Sequence, residues 1–214
     1  AKIPTVTVMG NWYYNFWKDA KHRQGVWRRT SAAEYRKAAP NWEVVLDLDQ
    51  LSETEKTNWV WHGADCLRPA YQRCLLSLSR GGADAQVVRE FDVASKSFVP
   101  GGFELPEAKG SLGWIDQDHV FVSTDFGKGS LTTSGYPRIA KHWIRGTPLA
   151  SAEIVKKVGE TDMAIFIWHD STPGYPRDFV LRVPQFFQGE LSLVDADGVF
   201  RRVDVPIDAE AGVK

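Results

Sequence analysis

A strand–turn–strand pattern recurs along the chain, and it constrains the fold more than any other feature of the sequence. Its clearest copy, Leu112–Phe126, has a strand ending on Trp114, a polar turn over 116–119 and a second strand from Val120. Alternating apolar and polar residues bounded by Asp-rich turns are typical of half-buried β-strands. The pattern therefore predicts antiparallel hairpins.

Tryptophans mark the repeat of this pattern. Trp61, Trp114 and Trp168 each close a similar strand, and they are 53 and 54 positions apart. The same distance before Trp61 falls near Met9, inside another apolar run. A period of about 50 residues in an all-strand sequence is typical of propeller blades or another repeat array. We expect the three tryptophans to occupy equivalent positions.

The chain divides into four units with four strand candidates each, and no long helix is predicted. The units cover about 5–49, 58–100, 111–158 and 162–206, and we interpret all 214 residues as one partial domain. A helical turn is predicted over 31–39, stopped by Pro40, and Asp197-Gly198 predicts a hairpin turn. The predicted strands are Thr5–Met9, Trp12–Trp17, Gly25–Thr30, Trp42–Leu48, Trp59–His62, Cys74–Ser79, Val87–Val93, Ser97–Val99, Ser111–Ile115, Val120–Asp125, Ile139–Arg145, Glu153–Val158, Met163–His169, Phe179–Phe187, Glu190–Val194 and Phe200–Val205.

Composition excludes several classes of protein. With 26 basic and 27 acidic residues, nothing indicates nucleic-acid binding or a polybasic membrane surface. No apolar run approaches the roughly 18 residues that a membrane helix needs. The first residues, from Ala1, contain no basic segment followed by an apolar one, so no secretory leader is predicted. Because the chain does not begin with Met, we expect it to be excised from a longer protein.

Two cysteines, Cys66 and Cys74, lie within one predicted hairpin. They could form a disulfide, but two cysteines in a chain of this size do not make a secreted disulfide framework, so we predict a reduced pair. The sequence also lacks an Asn-x-Ser/Thr glycosylation acceptor. Together these observations favour a cytoplasmic protein, with a periplasmic location left open.

Catalytic motifs are missing or incomplete. No Gly-x-Ser-x-Gly nucleophile motif occurs, and Gly127-Lys128-Gly129-Ser130 fails as a phosphate-binding loop, so it is interpreted as a flexible loop. The five histidines lack zinc-site spacing. His169-Asp170-Ser171 contains the residue types of a hydrolytic triad, but consecutive strand residues point in alternating directions, so a turn is the favoured interpretation. No catalytic residue, cofactor site or metal ligand is predicted.

Paired carboxylates leave a glycosidase open as a third hypothesis. Asp47 with Asp49, and Asp195 with Asp197, share a face at strand ends, as two acid–base carboxylates could. Turn chemistry is the favoured explanation, because Asp is common in turns. The nine tryptophans could be carbohydrate platforms, but repeated strand-end tryptophans favour packing between blades.

Several ordered segments resemble one known family. The segments Gly10–Trp17, Gly25–Thr30 and Trp42–Asp49 resemble the opening blade of the prolyl oligopeptidase propeller. The segment Cys74–Asp92 resembles the next blade, and Leu112–Phe126 is similar to the one after it. The resemblance extends over most of the chain from Gly10 and weakens after about residue 146.

This resemblance implies an all-β segment of about four blades from a seven-bladed β-propeller. In the family, the propeller covers an α/β-hydrolase domain with a Ser/Asp/His triad, admits only short peptides and lines a central cavity, and cleavage follows proline. The implied partners are therefore a hydrolase domain of the same parent chain and short proline-containing peptides. No triad residue can be carried over to this chain, so we expect the fragment alone to be inactive.

Two further expectations follow. The alternative is a free-standing four-bladed propeller that binds a protein or carbohydrate, since four blades can close a ring. In an open segment, by contrast, the terminal blades would each present an apolar face and drive self-association. The candidate residues on these faces are Val6, Val8 and Trp12 in the first unit and Phe179, Leu181, Phe186 and Phe187 in the last.

Overall fold

The structure is a computed structural model that describes residues 5–195 and 197–209, and it is built mainly of antiparallel strands. The short helices are α1 (Ala32–Tyr35), α2 (Leu48–Glu55) and a 3-10 turn over Leu149–Ser151. None of the helices within these ranges is long and apolar enough to cross a membrane. The strands are β1 (Thr7–Met9), β2 (Trp12–Trp17), β3 (Val26–Ser31), β4 (Glu43–Asp47), β5 (Trp59–Cys66), β6 (Arg73–Arg80), β7 (Gln86–Asp92), β8 (Ser97–Phe98), β9 (Glu104–Ala108), β10 (Ser111–Trp114), β11 (His119–Ser123), β12 (Ile139–Ile144), β13 (Glu153–Lys157), β14 (Ala164–Asp170), β15 (Arg177–Val183), β16 (Glu190–Val194) and β17 (Phe200–Arg202).

Each of four sheets contains four consecutive strands in chain order. The first sheet is β1–β4, the third is β10–β13 and the fourth is β14–β17. The second contains β5–β8, and β9 joins it as a fifth strand that pairs with β7. Neighbouring strands within each run of four are antiparallel. The chain forms two compact units that divide after Glu104, with two of these sheets in each. The all-β architecture of four four-stranded antiparallel sheets is confirmed.

The sequence interpretation missed helix α2 and strand β9. Asp47 caps α2, because its carboxylate accepts hydrogen bonds from the backbone N–H groups of Asp49 and Gln50 at 2.9 and 3.1 Å. Lys56 ends the helix in the left-handed conformation. The strand alternation through Leu48 concealed the capping signal, so β4 was predicted to extend past its true end.

Each unit has its own hydrophobic core, formed between its two sheets. In the first unit, Trp27 of the first sheet and Leu76, Leu78 and Phe91 of the second are almost completely buried in one cluster. In the second unit, Phe121 and Ala140 of the third sheet pack with Ile165, Ile167 and Val180 of the fourth. Alternation thus gives every sheet an apolar near face, which is turned toward the other sheet of its unit.

The repeat tryptophans lie on equivalent strands but not at equivalent positions. Trp61, Trp114 and Trp168 each lie in the first strand of their sheet, as predicted. Trp114 and Trp168 lie near the strand end that leads into the hairpin, where they pair with Val120 and Phe179. Trp61 instead lies near the start of β5. The expected equivalence is therefore wrong for Trp61, because equal spacing does not account for differences in strand and loop length.

Cys66 and Cys74 are joined by a disulfide, so the predicted reduced pair is wrong. The two residues are register partners across β5 and β6, with Cα atoms 4.0 Å apart. Directly opposed positions on neighbouring strands can be joined by a disulfide. The sequence placed both cysteines in one hairpin but could not show that the register brings them face to face. The cytoplasmic location, which drew on a reduced pair, stays a prediction.

The far face of the first sheet, turned away from the second sheet, is covered by the chain itself. Tyr13 stacks on Tyr35 of α1 with ring centroids 5.1 Å apart. The Arg28 guanidinium lies between two indoles, 4.5 Å from the ring centroid of Trp17 and 4.4 Å from that of Trp42. The connection between β3 and β4 therefore folds back over the sheet. Val8 lies near the edge of this face and remains 58% exposed. It was predicted to belong to an apolar face of the first unit.

The far face of the fourth sheet, turned away from the third, buries some of its apolar residues and leaves others exposed. Phe166 is 44% exposed there, and Trp168 is half-buried. Phe187, in the connection from β15 to β16, is 91% exposed. Phe179 was also predicted to be exposed, but it is only 5% exposed because Trp168 stacks on it at 5.5 Å.

Candidate functional site

A serine and a histidine meet across the second sheet. Ser79 Oγ and His62 Nε2 share a hydrogen bond of 2.8 Å. Ser79 is completely buried, so its oxygen cannot reach a peptide carbonyl. His62 is the extra residue of a β-bulge between Trp61 and Gly63. The bond therefore holds the bulge against β6 and does not form a nucleophile–base pair.

The triad-like run His169-Asp170-Ser171 is not a relay. His169 Nδ1 contacts Oδ1 of Asp178 on the neighbouring strand at 2.7 Å. Asp170 accepts hydrogen bonds from the hydroxyl and backbone N–H of Thr172, at 2.6 and 3.1 Å, and the hydroxyl bond is the main cause of its lowered pKa. The turn interpretation is confirmed, because Asp170 closes the turn that follows β14.

The paired carboxylates also serve turns. Asp47 caps α2, while Asp49 accepts hydrogen bonds from the backbone N–H groups of Gln24 and Gly25 at 3.1 and 3.2 Å. Asp195 accepts from Asp197 and Val199 in the hairpin between β16 and β17; the Val199 bond is the main cause of the lowered pKa of Asp195. Neither pair faces across an open cleft, as the two catalytic carboxylates of a glycosidase must.

The loop that contains Gly127-Lys128-Gly129-Ser130 is held by its serine. Ser130 is almost completely buried, and its hydroxyl lies 3.0 Å from the Asp125 carboxylate and 2.6 Å from the carbonyl of Gly127. It also accepts a hydrogen bond from the backbone of Phe126. Ser130 therefore has a local structural role. Over residues 5–195 and 197–209, no three His, Cys, Asp or Glu side chains are arranged to hold a metal.

An aromatic pocket of about 260 Å³ lies between the first and second sheets of the first unit. Its walls include Phe16 and Trp61, which stack with ring centroids 5.0 Å apart, and Trp27, whose ring lies 5.5 Å from that of Trp61. The interpretation of Trp61 as a packing residue between sheets is confirmed. The pocket can accept an apolar ring or side chain, and it contains no acid–base pair.

A single glycine sets the position of the Phe16 ring. Gly25 has a positive φ of 106°, and a Cβ atom there would lie 2.4 Å from the ring of Phe16. Without a side chain at this position, Phe16 can lie over the backbone and reach Trp61. The sequence interpretation placed Phe16 and Trp27 on strands but did not connect them. Phe16 and Trp27 are register partners across β2 and β3. Because aromatic pairs on neighbouring strands interact, aligning these two predicted strands could have indicated the contact.

A second, more polar pocket of about 420 Å³ opens beside the turn between β1 and β2. The Arg29 guanidinium lies 4.3 Å from the ring centroid of Trp12 and donates a 2.8 Å hydrogen bond to Glu43. This bond, followed by the one from Lys96, lowers the pKa of Glu43 to about 2. The opposite wall is the segment 69–72, which the disulfide encloses. We call the aromatic and polar pockets together the inter-sheet site.

The comparisons with known proteins agree on one family. The family model of the prolyl oligopeptidase N-terminal β-propeller domain matches residues 1–174. An uncharacterized peptidase of Sinorhizobium fredii is 41% identical over 180 residues, which is 83% of this chain and 25% of that protein.

Solved structures place the same sheets in larger enzymes. A post-proline cleaving enzyme from Rickettsia typhi has a TM-score of 0.89 and 29% identity, and the match covers 97% of this chain and 32% of that one. Oligopeptidase B from Leishmania major shares the fold, with a TM-score of 0.70 and 12% identity over 92% of this chain and 27% of its own. This chain thus spans about a quarter to a third of each. It belongs to the prolyl oligopeptidase family, as part of the N-terminal β-propeller domain.

Proposed function

We propose that this chain is the substrate-admitting part of a longer serine peptidase. Its catalytic serine, histidine and aspartate would lie in an α/β-hydrolase domain of the same polypeptide. Membership of the propeller family supports this proposal, as does the small share of each relative that the chain spans. The free-standing binding module is not favoured, because the matched relatives are peptidases several times longer than this chain.

The substrates that we propose are short peptides containing proline. The observation that carries this proposal is the match to a post-proline cleaving enzyme over 97% of the chain. The inter-sheet site is consistent with it, because aromatic walls suit apolar and ring-shaped side chains. In this role the propeller admits short, flexible peptides and excludes folded proteins.

The test compares this chain with its full-length parent on the same substrates. We expect the parent to cleave a short prolyl chromogenic peptide, to be stopped by a serine-directed inhibitor, and to leave the same site uncut inside a folded protein. The 214-residue chain alone should cleave neither substrate. Inhibitor-sensitive turnover by the chain alone would overturn the assignment of catalysis to another domain. Equal cleavage of the peptide and the folded protein by the parent would overturn the gating role.

A further inference from the structure

Two histidines that line neither of the pockets described above lie side by side on the near face of the third sheet. His119 begins β11 and His142 lies in β12, diagonally across the same face. Their ring centroids are 5.2 Å apart, and the ring planes differ by 31°. From this pair we propose a binding site for a divalent transition metal such as Zn²⁺ or Cu²⁺.

The ring separation matches the geometry that such a metal requires. Zn²⁺ binds imidazole nitrogen at about 2.0–2.1 Å in a tetrahedral arrangement. With about 1.2 Å more from nitrogen to ring centre, two imidazoles on one ion at about 109° have centroids about 5.3 Å apart. The 5.2 Å between the ring centroids of His119 and His142 is therefore compatible with one ion bound by both rings. Imidazole nitrogen also suits Cu²⁺ and Ni²⁺.

A carboxylate prepares His119 for this role. Nδ1 of His119 lies 2.8 and 2.9 Å from the two carboxylate oxygens of Asp116. Since the carboxylate accepts the Nδ1 proton, the lone pair of the neutral ring is on Nε2, where a metal can bind. The His119 side chain is 37% exposed, so solvent reaches part of the ring.

The surroundings of His142 hold its ring and offer another ligand. Phe121, its register partner on β11, lies edge-on with ring centroids 6.4 Å apart. On the other side, Glu153 of β13 is the register partner of His142 and is exposed. As the side chains stand, three ligands are not brought together within the described ranges. The third position would therefore be filled by water, or by Glu153 after a side-chain rotation.

The chain contains a matched control. His22 contacts Asp19 through Nδ1 at 3.1 Å, three residues apart as in the pair of His119 and Asp116. Within the described ranges, His22 has no ring contact with a second histidine, whereas His119 has one. If an exposed His–Asp turn were enough to bind metal, His22 would contribute as much as His119.

The experiment titrates the untagged 214-residue chain with Zn²⁺ by calorimetry, using wild type, His119→Gln, His142→Gln and His22→Gln. We expect one site in the wild type, weakened about tenfold or more by either of the first two changes and unaffected by the third. Asp116→Asn, which keeps both rings, should also weaken binding about tenfold. Binding that is unchanged in His119→Gln or His142→Gln, or equally lost in His22→Gln, would overturn the proposal.

A second measurement needs no variant, so it remains decisive if a substitution disturbs folding. The wild-type chain with one equivalent of Cu²⁺ should give an electron paramagnetic resonance spectrum with superhyperfine coupling to two imidazole nitrogens. Coupling to one nitrogen, or a spectrum of free Cu²⁺, would show that the pair does not act as one site.

Discussion

The first and fourth sheets have the same strand order but expose very different far faces. On the first sheet, the connection between β3 and β4 returns over the strands, so that Tyr35 and Trp42 cover Tyr13 and Arg28. On the fourth, Phe166 has no comparable aromatic cover in the part of the chain that the structure describes. One blade thus supplies its own packing partner from a loop, while the other leaves an apolar surface.

The two units also differ in covalent support. The first contains the Cys66–Cys74 disulfide, and the chain has no other cysteine. The first unit therefore has a source of stability, the covalent hairpin, that the second lacks. Repeated units with one topology can differ in local stability, because stability depends on packing and cross-links more than on strand order.

The largest effect should come from removing the disulfide. We expect Cys66→Ala with Cys74→Ala to lower the stability of the first unit by about 2–3 kcal/mol, because the short loop gains chain entropy when unfolded. Hydrogen exchange should accelerate in β5 and β6 and stay unchanged in β14 and β15. Equal acceleration of hydrogen exchange in both units would contradict the expectation that the disulfide stabilises the first unit alone. Mass spectrometry of the unreduced chain checks that the bond is present.

Removing the cover of the first sheet should have the next largest effect. We expect Trp42→Ala to cost about 2 kcal/mol, because a half-buried indole and its contact with Arg28 are lost. The control is Phe187→Ala, which removes a 91% exposed ring and should change stability by less than about 0.5 kcal/mol. Urea unfolding compares the two variants. Equal costs would mean that the cover does not stabilise the sheet.

A smaller effect is expected from Glu43. Its carboxylate bonds Arg29 of the first sheet and Lys96, which lies in the turn between β7 and β8 of the second sheet. Its pKa falls from the ordinary 4.5 to about 2, so its contribution is complete above pH 4.5 and is lost as pH falls toward 2. Because the side chain is 37% exposed, we expect only about 1 kcal/mol after screening. The loss should be absent in Glu43→Gln, and acid unfolding curves of the two proteins test this. Parallel curves between pH 5 and about 2 would contradict the assignment.

The smallest change in stability should come from a substitution at Phe166, on the far face of the fourth sheet. The same substitution should have a separate effect on self-association. We expect Phe166→Ser to alter unfolding by less than about 0.5 kcal/mol, since the ring is 44% exposed. It should weaken self-association about tenfold, because hiding part of a phenyl ring contributes about 1.4 kcal/mol. Val8→Ser, on the covered sheet, is the control for sedimentation at micromolar concentration. A larger effect of Val8→Ser would reverse the comparison between the two sheets.

The sequence alone determined all the strands except β9, and their order. Strand β2 (Trp12–Trp17) and strand β16 (Glu190–Val194) have the predicted bounds, and all four sheets follow chain order. This was possible because alternation and turn chemistry are local signals, and because hairpins join neighbours in the chain. The resemblance to the prolyl oligopeptidase propeller depended on the same ordered segments and is confirmed.

Only the tertiary structure decided which residues meet. It paired Cys66 with Cys74, placed Trp61 at the opposite end of its strand from Trp114 and Trp168, and folded Trp42 over Arg28. It also brought His119 and His142 together, which their spacing along the chain did not indicate. Each of these contacts depends on strand register or on the path of a loop. A shift of one residue in register moves the side chains of a strand to the other face, and the register depends on the geometry of turns and bulges as well as on the apolar pattern.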